Sequence, residues 1–458
     1  MSAAESRRLF ARTALLPHGW ARDVAIEINP SGSIVSVESD ADDANADRCA
    51  GPLVPAMPNV HSHAFQRALA GRTGRSSPAR EDSFWTWREA MYAFLERVDA
   101  DVFAAITAQA YVEMAKAGYA TVAEFHYVHH DLRGQPYADP AELSWRIVAA
   151  AEEVGLGLTL LPVFFAHGGF GGGALGESQR RFAQSIESYG RLIATLSDAA
   201  AKRDFVLGVA PHSLRAVSQD ELTAIVRLVP GAAPLHIHAA EQKQEVDACA
   251  AWSGMRPVEW LLSHAQIDRR WCIVHATHMT DDEARPLARS GAVAGLAPTT
   301  EADLGDGTFS ALTYFDADGA FAVGSDSNTI IDPFAELRQL EWSQRLQLQR
   351  RNLLGRGDSS LGASLWARAA RGGAQAIGRK TGAIAAGHRA DFVVMNSADP
   401  ALAGQRSDDM LDAATFGPCR QPVRDMMSGG VWIVRDGHHA RETEIFARYR
   451  AALRSLEV

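Results

Sequence analysis

Between residues 53 and 371, short apolar runs alternate with longer amphipathic stretches. Eight runs stand out, at 53–60, 121–127, 158–165, 206–211, 234–239, 271–275, 292–297 and 320–324. Helical periodicity falls between them, for example over 101–117, 140–154, 178–201 and 332–349. Short strands alternating with helices predict parallel β/α units, because parallel neighbours need a crossover long enough to hold a helix. Eight units in series predict an α/β fold built on a (β/α)8 TIM barrel with insertions. A doubly wound open sheet is the competing reading, but no Gly-x-Gly-x-x-Gly turn follows the first run.

The two ends have another rhythm. Residues 23–29 alternate apolar and polar, 30–33 offer a turn, and 34–38 alternate again, which is a hairpin pattern. Near the other end, 390–395 and 430–437 read as strands closed by turns. Chain ends of a domain commonly lie close together, so a small β-sandwich domain assembled from both ends is predicted. The division is then 1–52 for its N-terminal part, 53–375 for the barrel, and 376–458 for its C-terminal part and a terminal helix.

Polar residues gather where the apolar runs stop. His61 and His63 follow the first, Glu124 to Tyr127 close the second, and His212 follows the fourth. His238 and Glu241 come at the fifth, His275 at the sixth and Asp326 at the eighth. In a TIM barrel these C-terminal strand ends form the one face that carries the active site.

His61-Ser62-His63 is the sharpest local signal. In an extended strand end, residues i and i+2 point the same way, so both imidazoles can reach one divalent ion. Taken alone, the pattern serves equally for two hydrogen-bonded surface histidines; its place at a strand end, with partners elsewhere, favours the metal. His238 is the expected third ligand and Asp326 the fourth. Three nitrogens and a carboxylate oxygen suit one catalytic divalent ion, Zn²⁺ first and Fe²⁺ second. Glu241 is suited to moving protons, its bland alternative being an acid at a helix start. His275 is suited to polarising the reacting group. His236 reads as a core histidine and His278 as a structural loop residue. His126, His129 and His130 lack an accompanying carboxylate pair and read as supporting or surface groups.

Composition narrows the classes. At 47% hydrophobic and 22% charged, the chain is an ordinary globular one. A net charge of −10 argues against a nucleic-acid or anionic-membrane surface. No run of about 18 apolar residues predicts a membrane span. Cys49, Cys249, Cys272 and Cys419 are far apart and form no Cys-x-x-Cys, so a reducing cytoplasm is expected. Residues 1–12 are polar and basic, and no targeting segment is expected there. The glycine-rich stretch 168–173 has no following Lys-Ser/Thr, so it reads as an active-site loop after His167 and not as a phosphate loop. No Gly-x-Ser-x-Gly elbow is present.

On these motifs the chain resembles the amidohydrolase superfamily, in its mononuclear deaminase branch, over nearly its whole length. Pro55-Ala-Met-Pro-Asn-Val-His-Ser-His63 corresponds to the first-strand metal motif. His238 with Glu241, then His275, then Asp326 correspond to the fifth, sixth and eighth strands, and 382–394 to the return into the small β domain. The third and fourth strands end at Phe165 and His212, with no lysine to bridge two metals, unlike the binuclear branch. Within the branch the chain is most similar to the formimidoylglutamate deiminases, through His61-Ser-His-Ala-Phe-Gln-Arg-Ala, Asp82-Ser-Phe-Trp-Thr-Trp-Arg, Glu124-Phe-His-Tyr-Val-His-His, Ala210-Pro-His-Ser-Leu-Arg-Ala and His236-Ile-His-Ala-Ala-Glu-Gln.

That resemblance implies metal-dependent hydrolysis of N-formimidoyl-L-glutamate to N-formyl-L-glutamate and ammonia, in histidine degradation. Asp326 would take a proton from the attacking water, Glu241 would carry one to the departing nitrogen, and His275 would stabilise the tetrahedral intermediate. The substrate carboxylates call for donors. Arg215 offers a planar fork, and Gln66, Tyr127 and His212 complete the cradle. Arg88 is a further candidate, its bland alternative being a helix-surface arginine stacked on Trp85; for Arg215 that alternative is a pair with Asp220 or Glu221. A deaminase of a purine, pyrimidine or triazine ring (guanine deaminase-like) is the competing enzyme, with aromatic stacking in place of the cationic site. A metal-free binding or scaffolding barrel is the third reading, disfavoured by the complete ligand set. The expected partners are a small dicarboxylate and a second copy of the chain as a homodimer, with neither nucleic acid nor membrane.

Overall fold

The computed structural model describes residues 6–74, 81–200, 202–357 and 359–456. The first five residues of the N-terminal segment and residue 201, the end of one expected helix, lie outside the described residues. The chain opens with β1 (Arg7–Leu16), β2 (Gly19–Ile28), β3 (Ile34–Glu38), β4 (Asp47–Arg48) and β5 (Leu53–Pro55). The middle carries β6 (Met57–Ser62), β7 (Tyr119–His126), β8 (Gly157–Phe164), β9 (Phe205–Leu207), β10 (Ala210–Pro211), β11 (Leu235–Ala239), β12 (Trp271–His275), β13 (Val293–Leu296) and β14 (Ala320–Val323). It closes with β15 (Phe392–Met395), β16 (Val423–Ser428), β17 (Val431–Arg435) and β18 (His438–His439), followed by the terminal helix Glu442–Ser455.

The middle strands are parallel and lie in two sheets, one ordered β10-β8-β7-β6 with β9 also on β8, the other β11-β12-β13-β14. Isolated parallel bridges join them at both seams: Val209 to Leu235 and Ser213 to His238 on one side, Ser62 to Asp326 on the other. Every residue of β7 and β8 is buried. Such continuous apolar runs, without alternation, are what strands covered on both faces require. The crossovers are helices with readable ends. In Ala100–Ala117, Asp99 accepts hydrogen bonds from the Asp101 and Val102 amides at the start, and Gly118 takes a left-handed φ of 102° at the stop.

Strands from both chain ends meet in one nine-stranded sheet, ordered β18-β17-β16-β15-β5-β1-β2-β3 with β4 on β1. The expected β-sandwich is thus hydrogen-bonded as a single sheet and not as two. This sheet has its own core of Leu9, Val24, Ile26, Leu53, Phe392 and Val394. The expected first run, 53–60, is two strands. Residues Leu53–Pro55 pair with β15 and β1, and at Ala56, whose amide donates to the Asp391 carbonyl, the chain passes into the parallel set. An unbroken apolar run hides this change because both halves are fully buried.

Two further expectations change. The fourth strand is interrupted at Gly208, where a Cβ would stand 2.6 Å from the Pro234 carbonyl oxygen and 2.7 Å from Leu161. The helix expected over 178–201 begins only at Ile186. Arg181 occupies the preceding segment, buried, with its guanidinium on the carbonyls of Leu95, Val98 and His130. That tie holds the backbone in an irregular path where spacing alone reads as helix. No helix among the described residues is long and apolar enough to cross a membrane.

Candidate active site

The ends of β6, β11 and β12 and the residues after β14 bring His61, His63, His238, His275 and Asp326 together. His61 Nε2 lies 3.0 Å from His238 Nε2 and 3.4 Å from Asp326 Oδ1. His63 Nε2 lies 3.4 Å from the same oxygen. His63 Nδ1 donates to the Phe125 carbonyl at 2.9 Å and His238 Nδ1 to the His212 carbonyl at 3.0 Å. Those bonds put the proton on Nδ1 and leave Nε2 free as a ligand, the second-sphere arrangement typical of metal histidines. Beneath them, Asn328 donates to Ser62 Oγ and to the carbonyls of His63 and Asp326, tying the first strand's end to the eighth's. His275, Asp326 and Asn328 all adopt left-handed φ, at 67°, 42° and 55°. Non-glycine residues rarely hold that conformation, and it gathers where function fixes geometry.

Electrostatics agree with a ligand set. Burial lowers the pKa of His61. Burial, then His61, brings His63 down to about 3, and burial with His61 holds His238 well below the ordinary range. Metal ligands must be deprotonated, and burial favours the neutral form of all three rings. Burial opposes ionisation of Asp326, but His61, His275 and His63 hold its carboxyl below the usual carboxylate range. Three neutral imidazoles and one carboxylate, buried and convergent, fit a divalent cation.

His275 stands beside this cluster. Its Nε2 is 3.6 Å from Glu241 Oε1 and 3.9 Å from Asp326 Oδ2. Its Nδ1 is 3.3 Å from Glu301 Oε1. Burial disfavours the charged ring, yet Glu241, Glu301 and Asp326 outweigh it and push His275 up to about 10. Burial likewise raises Glu241 to about 7. Two buried acids here escaped the sequence reading. Glu301 sits on the short helix Pro298–Leu304 after β13, and Asp306 just beyond it. Neither lies in a motif. The available signal was an acid in the first turn after the seventh apolar run.

A cavity opens onto the cluster. Gln66, Arg88, Tyr127, His212 and Arg215 line it together with His63, His238, Glu241, His275 and Asp326. Gln66 Nε2 donates to the Tyr127 hydroxyl at 3.0 Å, while Gln66 Oε1 and Arg215 Nε are buried without a partner. Arg88 stacks on Trp85 with Cζ 4.4 Å from the ring, and Arg215 Cζ lies 6.0 Å from it. Burial, with Arg215 nearby, lowers the Arg88 pKa. Arg215 pairs with neither Asp220 nor Glu221; Glu221 instead meets His167 at 2.8 Å. His236 is buried with Nε2 on the Ala376 carbonyl. His129 and His130 bond to backbone carbonyls and His126 packs against His129, all outside the cavity; His126 and His129 are buried and so are not surface groups. In the 168–173 loop, Phe170 stacks on Trp252 at 5.5 Å.

Comparison with known proteins defines the class. Residues 53–433 match the amidohydrolase family, and the chain belongs to it. Residues 6–51 match the N-terminal domain of formimidoylglutamate deiminase HutF. The chain is 48% identical to the formimidoylglutamate deiminase of Pseudomonas aeruginosa, over 95% of this chain and 96% of that one. Its structure is similar to the crystal structure of an amidohydrolase from Brucella melitensis, with TM-score 0.94, 46% identity, and coverage of 99% of this chain and 100% of the other. It shares the fold of an adenosine deaminase from Xanthomonas campestris crystallised with bound zinc, with TM-score 0.81, 20% identity and 98% of each chain covered.

Proposed function

We propose that the protein is a hydrolase that deiminates N-formimidoyl-L-glutamate, adding water and releasing N-formyl-L-glutamate and ammonia, as histidine degradation requires. One observation carries the reading: one cavity is lined both by members of the buried histidine–carboxylate cluster and by the guanidinium groups of Arg88 and Arg215. A linear amidine with two carboxylates matches both sets of groups. A neutral ring leaves Arg215 without a partner.

His61, His63, His238 and Asp326 would hold one divalent ion, for which we propose zinc, with Fe²⁺ the alternative on the same donors. When bound, such an ion supplies Lewis acidity that activates water near neutral pH. In our assignment Asp326 accepts a proton from the attacking water and Glu241 delivers one to the departing nitrogen. Nε2 of His275 donates to the oxygen on which negative charge develops. Arg215 takes a substrate carboxylate in a bidentate, charge-assisted pair, Arg88 offers a second cation, and Gln66, Tyr127 and His212 complete the cradle.

The same reading closes the eight parallel strand positions into a (β/α)8 barrel, supported by the bridges at both seams, and assigns 56–375 to it, with 1–55, including β5, and 376–458 forming the small β domain. It also carries a homodimer, to be checked by light scattering, and a cytoplasmic site, supported by four cysteines that are all free. The deciding experiment is ammonia release from formimidoyl-glutamate beside guanine, cytosine and formimidoyl-aspartate. Release from a ring substrate and none from formimidoyl-glutamate would overturn the proposal in favour of a ring deaminase.

A further inference from the structure

Glu301 is a buried acid beside the metal cluster with no part in the proposed chemistry. It is 4% exposed, and its Oε1 lies 3.3 Å from Nδ1 of His275. The same oxygen accepts the Ala297 amide at 3.0 Å, which holds the carboxylate in one rotation. Glu301 sits on the short helix Pro298–Leu304, after β13, whereas His275 closes β12. Two preceding residues anchor that helix to other elements. Thr299 donates its amide and its hydroxyl to Glu336 of the Pro333–Leu348 helix. Thr300 Oγ1 accepts the amide of Ser327, the neighbour of Asp326, at 3.3 Å. Successive residues of a helix are turned by about 100°, so Glu301 points a third way, onto His275. Its direction is therefore set by contacts that do not involve the ring it meets.

An imidazole fits its slot in two orientations related by a half-turn of the ring, which exchange Nδ1 with Cδ2 and Nε2 with Cε1. Only one of them places Nε2 at 3.6 Å from Glu241 Oε1 and 3.9 Å from Asp326 Oδ2. The other turns a C–H towards the reacting groups. Both of those distances exceed hydrogen-bond reach, so neither contact fixes the ring. Among the described residues, the Glu301 contact is the shortest of the three. A carboxylate oxygen accepts and does not donate, so it calls for a nitrogen bearing a proton at this position, which Nδ1 supplies and Cδ2 does not. We infer that Glu301 is a positioning residue for the hydrolysis: through Nδ1 it fixes the ring orientation in which His275 Nε2 faces the reacting oxygen. This rests on the reading of His275 as the donor to the developing charge, and adds the group that holds it ready. Glu301 is not among the residues lining the cavity, so it acts through His275.

The test separates reach from charge. Glu301→Gln keeps the length and the accepting oxygen but loses the charge; Glu301→Asp keeps the charge but is one methylene short of Nδ1. Ammonia release from formimidoyl-glutamate gives kcat and KM, with metal content and Tm checked for each variant. Glu301→Asp should lower kcat by about tenfold or more with KM moving less than about twofold, while Glu301→Gln stays within about threefold of wild type. In a His275→Gln background, Glu301→Asp should cost nothing further, because a residue that acts only through the ring has nothing left to hold. A Glu301→Gln enzyme as slow as Glu301→Asp, or slower, shows that charge and not orientation is what Glu301 supplies, and overturns the inference. Near-normal kcat in both variants overturns it as well. So does a Glu301→Asp loss that persists undiminished without the His275 ring, which marks a structural role. If wild type releases ammonia from a ring substrate and not from formimidoyl-glutamate, the substrate assignment fails by itself. The same variants assayed on that ring then decide the role of Glu301.

Discussion

Replacing Arg215 by Met isolates the recognition of the substrate's carboxylates. Arg215 lines the cavity, its Nε is buried without a partner, and no carboxylate of the described residues lies within ion-pairing distance. A guanidinium–carboxylate pair at about 4 Å is worth roughly 4 kcal/mol at an effective dielectric constant near 20. Truncating one member of a buried charge pair costs about 2–5 kcal/mol. Arg88 shares the Trp85 platform and retains one positive charge near the site, so the lower part of that range, about 2–4 kcal/mol, is expected. That corresponds to roughly a 30- to 900-fold loss in kcat/KM. The assay is steady-state ammonia release from formimidoyl-glutamate and from a formimidoyl amine that has no carboxylates, with metal content confirmed unchanged. The first substrate should suffer the full loss and the second only a few-fold. Equal losses, or none on either, refute the assignment, because an arginine that reads the carboxylate cannot matter to a substrate without one.

What the sequence disclosed, and what it hid, follows from how each residue is held. His61, His63, His238, His275 and Asp326 converge because each stands where a buried strand ends, and polar residues closing apolar runs are visible as a change of pattern. The structure gathers them as that reading expected. Gln66, Arg88, Tyr127, His212 and Arg215 line one cavity with them, although only the resemblance had given those five a shared task. Glu301 and Asp306 were illegible. Each is one acid among 55, on a short helix and a loop, and nothing local tells a buried acid beside His275 from an exposed one. The split at Ala56 was hidden because hydrophobicity reports burial and not which sheet buries the residue. β1 was missed for the converse reason: the burial of Arg7–Leu16 does not follow a strict alternation, so a period-2 test passes over it. The 178–185 segment shows the same limit, since a buried arginine tied to three carbonyls decides its path.

Three more tests bear on the chemistry and on the scaffold. Glu241→Gln should keep the metal but lower kcat by about 10²- to 10⁴-fold, the usual contribution of a general acid–base group; near-normal turnover would move the proton shuttle elsewhere. Chelation should abolish activity, zinc or ferrous ion should restore it, and metal analysis should find one ion per chain. Two tightly held ions, both needed for turnover, would contradict the four-donor assignment. The last test concerns acid stability at the terminal helix. Glu442 meets Lys116 Nζ at 2.6 Å and His438 Nδ1 at 2.8 Å, and accepts the His439 amide at 3.1 Å. These contacts join the start of Glu442–Ser455 to the Ala100–Ala117 helix. Burial raises the Glu442 pKa, but His438, Lys116 and the His439 amide outweigh it and bring it down from 4.5 to about 2. A carboxyl with a depressed folded-state pKa stabilises the fold above its unfolded value and stops doing so as pH falls through the folded one. Its contribution is therefore complete above about pH 4.5 and disappears as pH approaches 2. Glu442→Gln should then lower Tm at pH 7 and at pH 5, with the gap from wild type closing as the pH is taken down towards 2. High salt should narrow the gap at pH 7, because these charges are partly exposed and screened. A gap that stays constant down to the lowest pH at which the protein remains folded would show that Glu442 acts through packing or hydrogen bonding alone, independent of its charge.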